Sequence, residues 1–384
     1  MRTRLSLIYG ALFVLVGVQH VYLPVWLDWK GFSATEIAWL IAVPMVLRIG
    51  FMPAIGVVSD SRGDAVGVGR LLAFAALLFS VLLALGASKA SLALLVVALL
   101  LVSPSLLPLV ETTAMAAVRQ GQAEYGKVRL WGSLTFILAN MAGGVLIDRM
   151  GAGSIGWLVV FGAGLLFAAL HLLPRRVRGA GEGLGKSLGV DALTPLLRHR
   201  VFVLLVATAG LLQASHAVFY VYGVLHWRSL GYSTTFVGML WAVGVIVEIG
   251  LFQVGRRVLA TFGAVGLIVA GGVAGVVRWG IMAFDPWLPL LVLLQATHAL
   301  TYAATHIGTL HLVSRLVPDE LAGSAQALLA TFTASIAMSV AIVLAGALYP
   351  SGGALSYLAM AAISAVGLIA ALRLRRDIGE TVDR

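Results

Sequence analysis

Glu248, Arg278, His298, Arg48 and Glu111 stand inside otherwise apolar stretches. A charge at the bilayer centre costs at least about 2.5–3.5 kcal/mol, so ionisable residues at that depth are the first functional candidates. Glu248 is the acidic side chain that lies deep in the second half of the chain, and a carboxylate there can load and release a proton. Arg278 offers a planar fork that fits a carboxylate or sets the charge state of Glu248. His298, Tyr302 and His306 recur at i, i+4 and i+8, with Gln295 three residues before the first. That spacing puts all four on one helix face. Gln213, His216 and Tyr220 share an i, i+3, i+7 stripe, as do Gln19, Tyr22 and Trp26. Amides and aromatic rings on such stripes suit a solute with a ring and a polar head. Each set also has a plainer reading. The charges can be an ion pair locking helices together, Arg278 can snorkel, the histidines can bond a neighbouring helix, and Tyr22 and Trp26 can be interface aromatics.

The elements that hold these residues follow from composition. Of 384 residues, 60% are apolar and only 11% are charged, against about 25% charged in a soluble domain. A soluble enzyme and a disordered chain are both excluded. There is no cysteine, which removes disulfides, thiolate metal sites and a Cys nucleophile. Apolar spans lie near 5–27, 35–58, 70–88, 91–115, 130–148 and 154–173, then 200–225, 233–254, 261–283, 287–312, 321–348 and 354–372. Twelve spans of ~20 residues use roughly 250 positions and leave short loops. The first span follows Arg2 and Arg4 but is long for a signal peptide, so it reads as a retained helix.

With the N-terminus placed inside, 20 of the 26 Lys and Arg fall on cytoplasmic segments. Lys30, Lys89, Arg149 and Arg228 fall outside. This asymmetry is an insertion signal rather than a nucleic-acid footprint, and it puts both termini in the cytoplasm. The polar stretch 175–199 separates an N-terminal bundle, 1–174, from a C-terminal bundle, 200–384. Sliding the chain by 200 residues gives eight identities in the 20 positions 31–50, among them Gly31/Gly231, Ser33/Ser233 and Thr35/Thr235. Arg48 then falls on Glu248. Two like halves in one orientation describe a transporter architecture built from parallel repeats.

The loop Gly56-Val-Val-Ser-Asp60-Ser-Arg62-Gly63 resembles the G-x-x-x-D-x-x-G signature of the major facilitator superfamily. Asp64 and Ala65 stand where its basic pair normally follows. Tyr125-Gly-Lys127-Val-Arg129-Leu-Trp131-Gly-Ser133, Leu211-Leu-Gln213-Ala-Ser-His216-Ala, Gly275-Val-Val-Arg278-Trp279-Gly280-Ile-Met282 and Leu294-Gln295-Ala-Thr-His298 together look like the 3-phenylpropionate permease family. That branch is similar to the lactose permease and the nucleoside symporters. The resemblance implies a proton-coupled importer and points toward an aromatic carboxylate substrate. The lactose permease is similar in placing an acid in helix 8, an arginine in helix 9 and a histidine in helix 10. This chain matches with Glu248, Arg278 and His298 and lacks the further helix-10 carboxylate.

The expectation is an all-α membrane protein of twelve transmembrane helices in two six-helix bundles, the major facilitator fold, working by alternating access. Proton coupling is assigned to Glu248, His298 and Arg278. Substrate binding is assigned to Gln19, Tyr22, Gln213, His216, Tyr220, Gln295 and Tyr302. Gating is assigned to Gly56, Asp60, Arg62, Gly63, Arg48 and Glu111, with Asp60 set against the start of helix 11. Glu111 pairs with Arg48 or with Arg62 in this reading. The proton gradient is the energy source, with no cofactor, metal, nucleotide or catalytic group. The partners are a small-molecule substrate and the lipid bilayer, without nucleic acid or an obligate protein, in the inner membrane of a bacterium. An exporter or a nucleoside symporter on the same fold, and a sensor or polytopic membrane enzyme, are the rival readings.

Overall fold

Gly31 ends helix α1 (Arg2–Trp29) with a φ of +82°, a backbone conformation that side chains strain. Two residues on, Ser33 Oγ accepts from the Glu36 N–H at 3.3 Å. The Glu36 carboxylate accepts from the Ser33 N–H at 2.7 Å. This reciprocal cap starts α2 (Ala34–Arg62). The same turn recurs 200 residues later, where Gly231 has φ +89° and Ser233 Oγ accepts from the Phe236 N–H at 3.1 Å. The run of buried, half-buried and exposed positions at 42–48 is likewise reproduced at 242–248. The internal repeat is therefore a repeated turn and helix face.

The computed structural model describes residues 1–86, 88–174 and 190–382. Of the expected linker, 175–189 lies outside the described residues. Helices α3 (Ala65–Leu85), α4 (Lys89–Arg119), α5 (Tyr125–Met150) and α6 (Ser154–His171) complete the first six spans. A short helix, α7 (Val190–Arg198), precedes the seventh span, which is split into α8 (Arg200–Ala214) and α9 (Ala217–Ser229). The eighth span is α10 (Thr234–Gln253), followed by the short α11 (Gly255–Phe262), and the ninth is α12 (Ala264–Met282). The tenth span runs through α13 (Leu288–Ala296), a π-helical turn (Ala299–Ala304) and α14 (Thr305–Leu316). The eleventh runs through α15 (Ala322–Thr331), a second π-turn (Phe332–Ala337) and α16 (Met338–Gly352), and the twelfth is α17 (Tyr357–Val382).

Among the described residues, 11 helices are long and apolar enough to cross a bilayer. The last of these, Asp319–Ile378, has 60 residues. At ~1.5 Å per residue it would be about three times the ~30 Å hydrocarbon thickness. It turns at 353–356 between α16 and α17, so it supplies two crossings. The chain is an all-α, multi-pass membrane protein.

The signature loop has local reasons for its residues. Gly63 ends α2, and Asp64 starts α3 by accepting from the Gly67 N–H at 2.7 Å. The acid that replaces the expected basic residue is a helix cap.

The chain forms two compact units: Met1–Lys186 with Trp227–Met239, and Ser187–His226 with Leu240–Arg384. In the first, α1 packs on α5 and α6, and α3 packs between α4 and α6. The start of α10 joins this unit through Asp148. Its carboxylate accepts from the Thr234 and Thr235 N–H groups, both at 2.8 Å, and from Thr235 Oγ1 at 2.6 Å. A Cβ on Gly144 would sit 2.6 Å from the Thr234 carbonyl oxygen, and one on Gly238 would sit 2.6 Å from that of Asn140. Only glycines allow this backbone contact. In the second unit α8 and α14 pack with α12 and α17 around Phe202, Leu205, Leu212, Ile268, Leu312 and Leu374.

Candidate functional site

Arg278 on α12 is fully buried and uses its two Nη groups within the second unit, while its Nε meets no hydrogen-bond partner among the described residues. Nη1 donates to His298 Nδ1 and to Thr301 Oγ1, each at 3.1 Å, and Nη2 donates to Gln295 Oε1 at 3.1 Å. Its guanidinium carbon lies 4.4 Å from the Trp279 ring centre and 5.0 Å from that of Phe219. Such contacts stabilise a desolvated cation.

The donors fix the histidines. His298 Nδ1 accepts from Arg278, so the ring's proton belongs on Nε2, the nitrogen 3.7 Å from Glu248 Oε2. His216 Nδ1 faces the Leu212 and Gln213 carbonyl oxygens at 3.2 and 3.1 Å, so it donates. His216 Nε2 then accepts from the Thr301 hydroxyl at 3.0 Å. The result is a string that diverges from the donors of Arg278: one arm runs through His298 toward Glu248, the other through Thr301 to His216, with Gln295 as a branch. It joins spans seven, eight, nine and ten.

Local breaks in the helices make room for it. The seventh span opens at Ser215 and His216, where the Ser215 hydroxyl donates to the Leu212 carbonyl at 2.7 Å and accepts from Trp279 Nε1 at 3.1 Å. The tenth span widens into its π-turn at Thr301, and π-turns recur at functional positions in helices. The rings of His298, Tyr302 and His306 stack in series at 5.5 and 6.0 Å. The expected one-face stripe is thus a ladder of parallel rings. Tyr220 stacks on His216 at 5.4 Å, and Gln213 is half-buried beside the break.

The first unit treats its candidates differently. Gln19 is buried and donates to Ser103 Oγ at 3.3 Å. Tyr22 is fully buried and donates to the Asn140 carbonyl. Glu111 pairs with neither Arg48 nor Arg62. It accepts from the Tyr125 hydroxyl at 2.8 Å and lies 3.8 Å from Arg129 Nε. Tyr125 and Arg129 are one turn apart on α5, so one face of that helix meets Glu111 twice. Arg48 is half-buried, and it makes no hydrogen bond or ion pair among the described residues.

A family model for the MFS_1 like family matches residues 2–359. The chain belongs to this family. It is 29% identical over 346 residues to the probable 3-phenylpropionic acid transporter of Escherichia coli K12, covering 90% of each chain. It is 28% identical over 334 residues to the maltose permease of Geobacillus stearothermophilus, covering 85% of this chain and 82% of the permease. The crystal structure of a point mutant of the nucleoside transporter NupG superposes with a TM-score of 0.85 at 18% identity, covering 97% of this chain and 99% of that one. The fold is the major facilitator fold, and the protein is a membrane transporter of that type.

Five residues were given no role from the sequence: Asp148 at the start of α10, and Phe219, Trp241, Trp279 and Thr301 around the string. Phe219 stacks on Trp241 at 4.6 Å, and an aromatic or threonine in an apolar span carries no polar signal to find it by. Asp148 had one, an acid at the end of a span opposite a Ser-Thr-Thr helix start.

Proposed function

We propose that this transporter imports a small aromatic carboxylate together with protons. The observation that supports the reading is the string from half-buried Glu248 through buried His298 to Arg278. Glu248 is the proton-carrying group. His298 presents Nε2–H to it, and Arg278 holds the tautomer that makes this possible. In this reading Arg278 is a positioning residue, because both Nη groups are already engaged. Arg48 is the intramembrane guanidinium left to receive the solute's carboxylate, through its planar fork. Gln213, Tyr220 and Tyr302 line the solute's path, while Asp60 and its loop serve the gate. The name of the phenylpropionic acid transporter supports an aromatic acid as substrate. The protein sits in a bacterial inner membrane with both termini inside, in accord with its basic inner segments.

Proteoliposomes with an acidic exterior test the reading against a panel of aromatic acids, nucleosides and sugars. The expected result is accumulation of an aromatic acid that a protonophore abolishes. Uptake indifferent to the pH gradient, or confined to nucleosides or sugars, would overturn it.

A further inference from the structure

A cavity lies at the end of unit two where α11, α12, α14 and α17 meet, apart from the string described above. Its volume is about 870 Å³, within the ~300–1,000 Å³ typical of ligand sites. Arg256, Arg315, Arg375 and His311 line it, and among the described residues no carboxylate does. Among the described residues the three guanidiniums make no hydrogen bond or ion pair. Asp319, Glu320 and Asp377 belong to the same end of the unit and stay off the lining. The remaining walls are apolar, including Leu259, Phe262, Val265, Val269 and Ile378.

We infer that this cavity is a binding site for an anionic phospholipid of the cytoplasmic leaflet. Three observations point the same way. Among the described residues the cationic side chains are unpaired, they converge on one cavity, and guanidinium matches phosphate through paired N–H donors. The apolar walls give acyl chains a surface that a free phosphate or a small hydrophilic anion would not use. The location is the inner end of spans nine, ten and twelve, the side to which the basic asymmetry of the loops assigns the cytoplasm. Basic pockets between spans at that depth face lipid headgroups, where each Arg adds attraction to an anionic surface. The short helix α11, which carries Arg256, closes the cavity where α10 gives way to α12.

The full-length protein, purified and stripped of lipid, is titrated with phosphatidylglycerol or phosphatidylcholine, and retained lipid is read by native mass spectrometry alongside thermal unfolding. Wild type should retain phosphatidylglycerol in clear preference. Each guanidinium contributes about fivefold to such a preference, so Arg315→Gln with Arg375→Gln should cut it roughly twentyfold or more. Arg257→Gln with Arg373→Gln removes the same charge at the same end but off the cavity, and it should keep the preference. Arg315→Lys with Arg375→Lys should fall between them, which separates loss of the fork from loss of fold. Equal retention of both lipids by wild type would overturn the inference. So would an undiminished preference in the Arg315/Arg375 variant, an equal loss in the off-cavity control, or stabilisation by inorganic phosphate alone.

Discussion

In the second unit Glu248 faces His298, and His298 faces Arg278, so charges on three spans are committed to one another. At the repeat-equivalent position of the first unit, 200 residues earlier, Arg48 meets no charged partner among the described residues. Its carboxylates are used elsewhere, Glu111 on Tyr125 and Arg129, and Asp148 on the start of α10. The two units share a turn, a helix face and a pattern of exposure, yet the charges on that face are opposite in sign and in use. The repeat preserves the scaffold because the turn and the packing set it. The polar residues sit on top of that scaffold and are free to diverge. Under the proposed function this is a division of labour, with proton handling in one unit and anion capture in the other.

The largest effect is expected at Arg278. Arg278→Ala leaves Gln295, His298 and Thr301 without their donor, each at a cost of ~1–3 kcal/mol when buried. Thermal unfolding in detergent should fall by several degrees, with transport lost. An unchanged melting temperature would mean that the string is not a packed element.

Arg48→Gln should behave in the opposite way. It removes a charge that stabilises no protein contact, so unfolding should stay within ~0.5 kcal/mol of wild type. Affinity for an anionic solute should drop roughly tenfold or more, while binding of its neutral amide is unchanged. If Arg48→Gln melts as early as Arg278→Ala, the asymmetry between the units disappears.

A smaller effect is expected at Asp148. Asp148→Ala removes the acceptor for two helix-starting N–H groups, worth ~1 kcal/mol as a cap. Thr235→Val should give part of the same loss, and the two losses together should be less than additive. Full additivity would show that the carboxylate and the hydroxyl act apart.

The spans were legible because twelve apolar runs separated by charged or glycine-rich breaks leave few alternatives. The convergence of Glu248, Arg278 and His298 was legible because ionisable residues in hydrocarbon are scarce and tend to find one another. Partner choice was less legible. Depth along a span can be counted, but the direction a side chain faces depends on helix rotation and on breaks such as those at Ser215 and Thr301. That is why Glu111 meets Arg129 rather than Arg48 or Arg62. It is also why Gln19 and Tyr22, which share a stripe suited to solute, are bonded to Ser103 and Asn140. No proline marks the π-turn at Ala299–Ala304, and hydropathy does not register it.

Under the proposed function Glu248 carries the transported proton. Glu248→Gln imitates the protonated side chain in shape and charge and cannot release a proton. Reconstituted Glu248→Gln should exchange labelled for unlabelled solute across the membrane, because exchange needs no net proton movement. The same preparation should fail to accumulate solute when a pH gradient is imposed. Gradient-driven accumulation at the wild-type level by Glu248→Gln would contradict the account and leave Glu248 as a structural partner of His298.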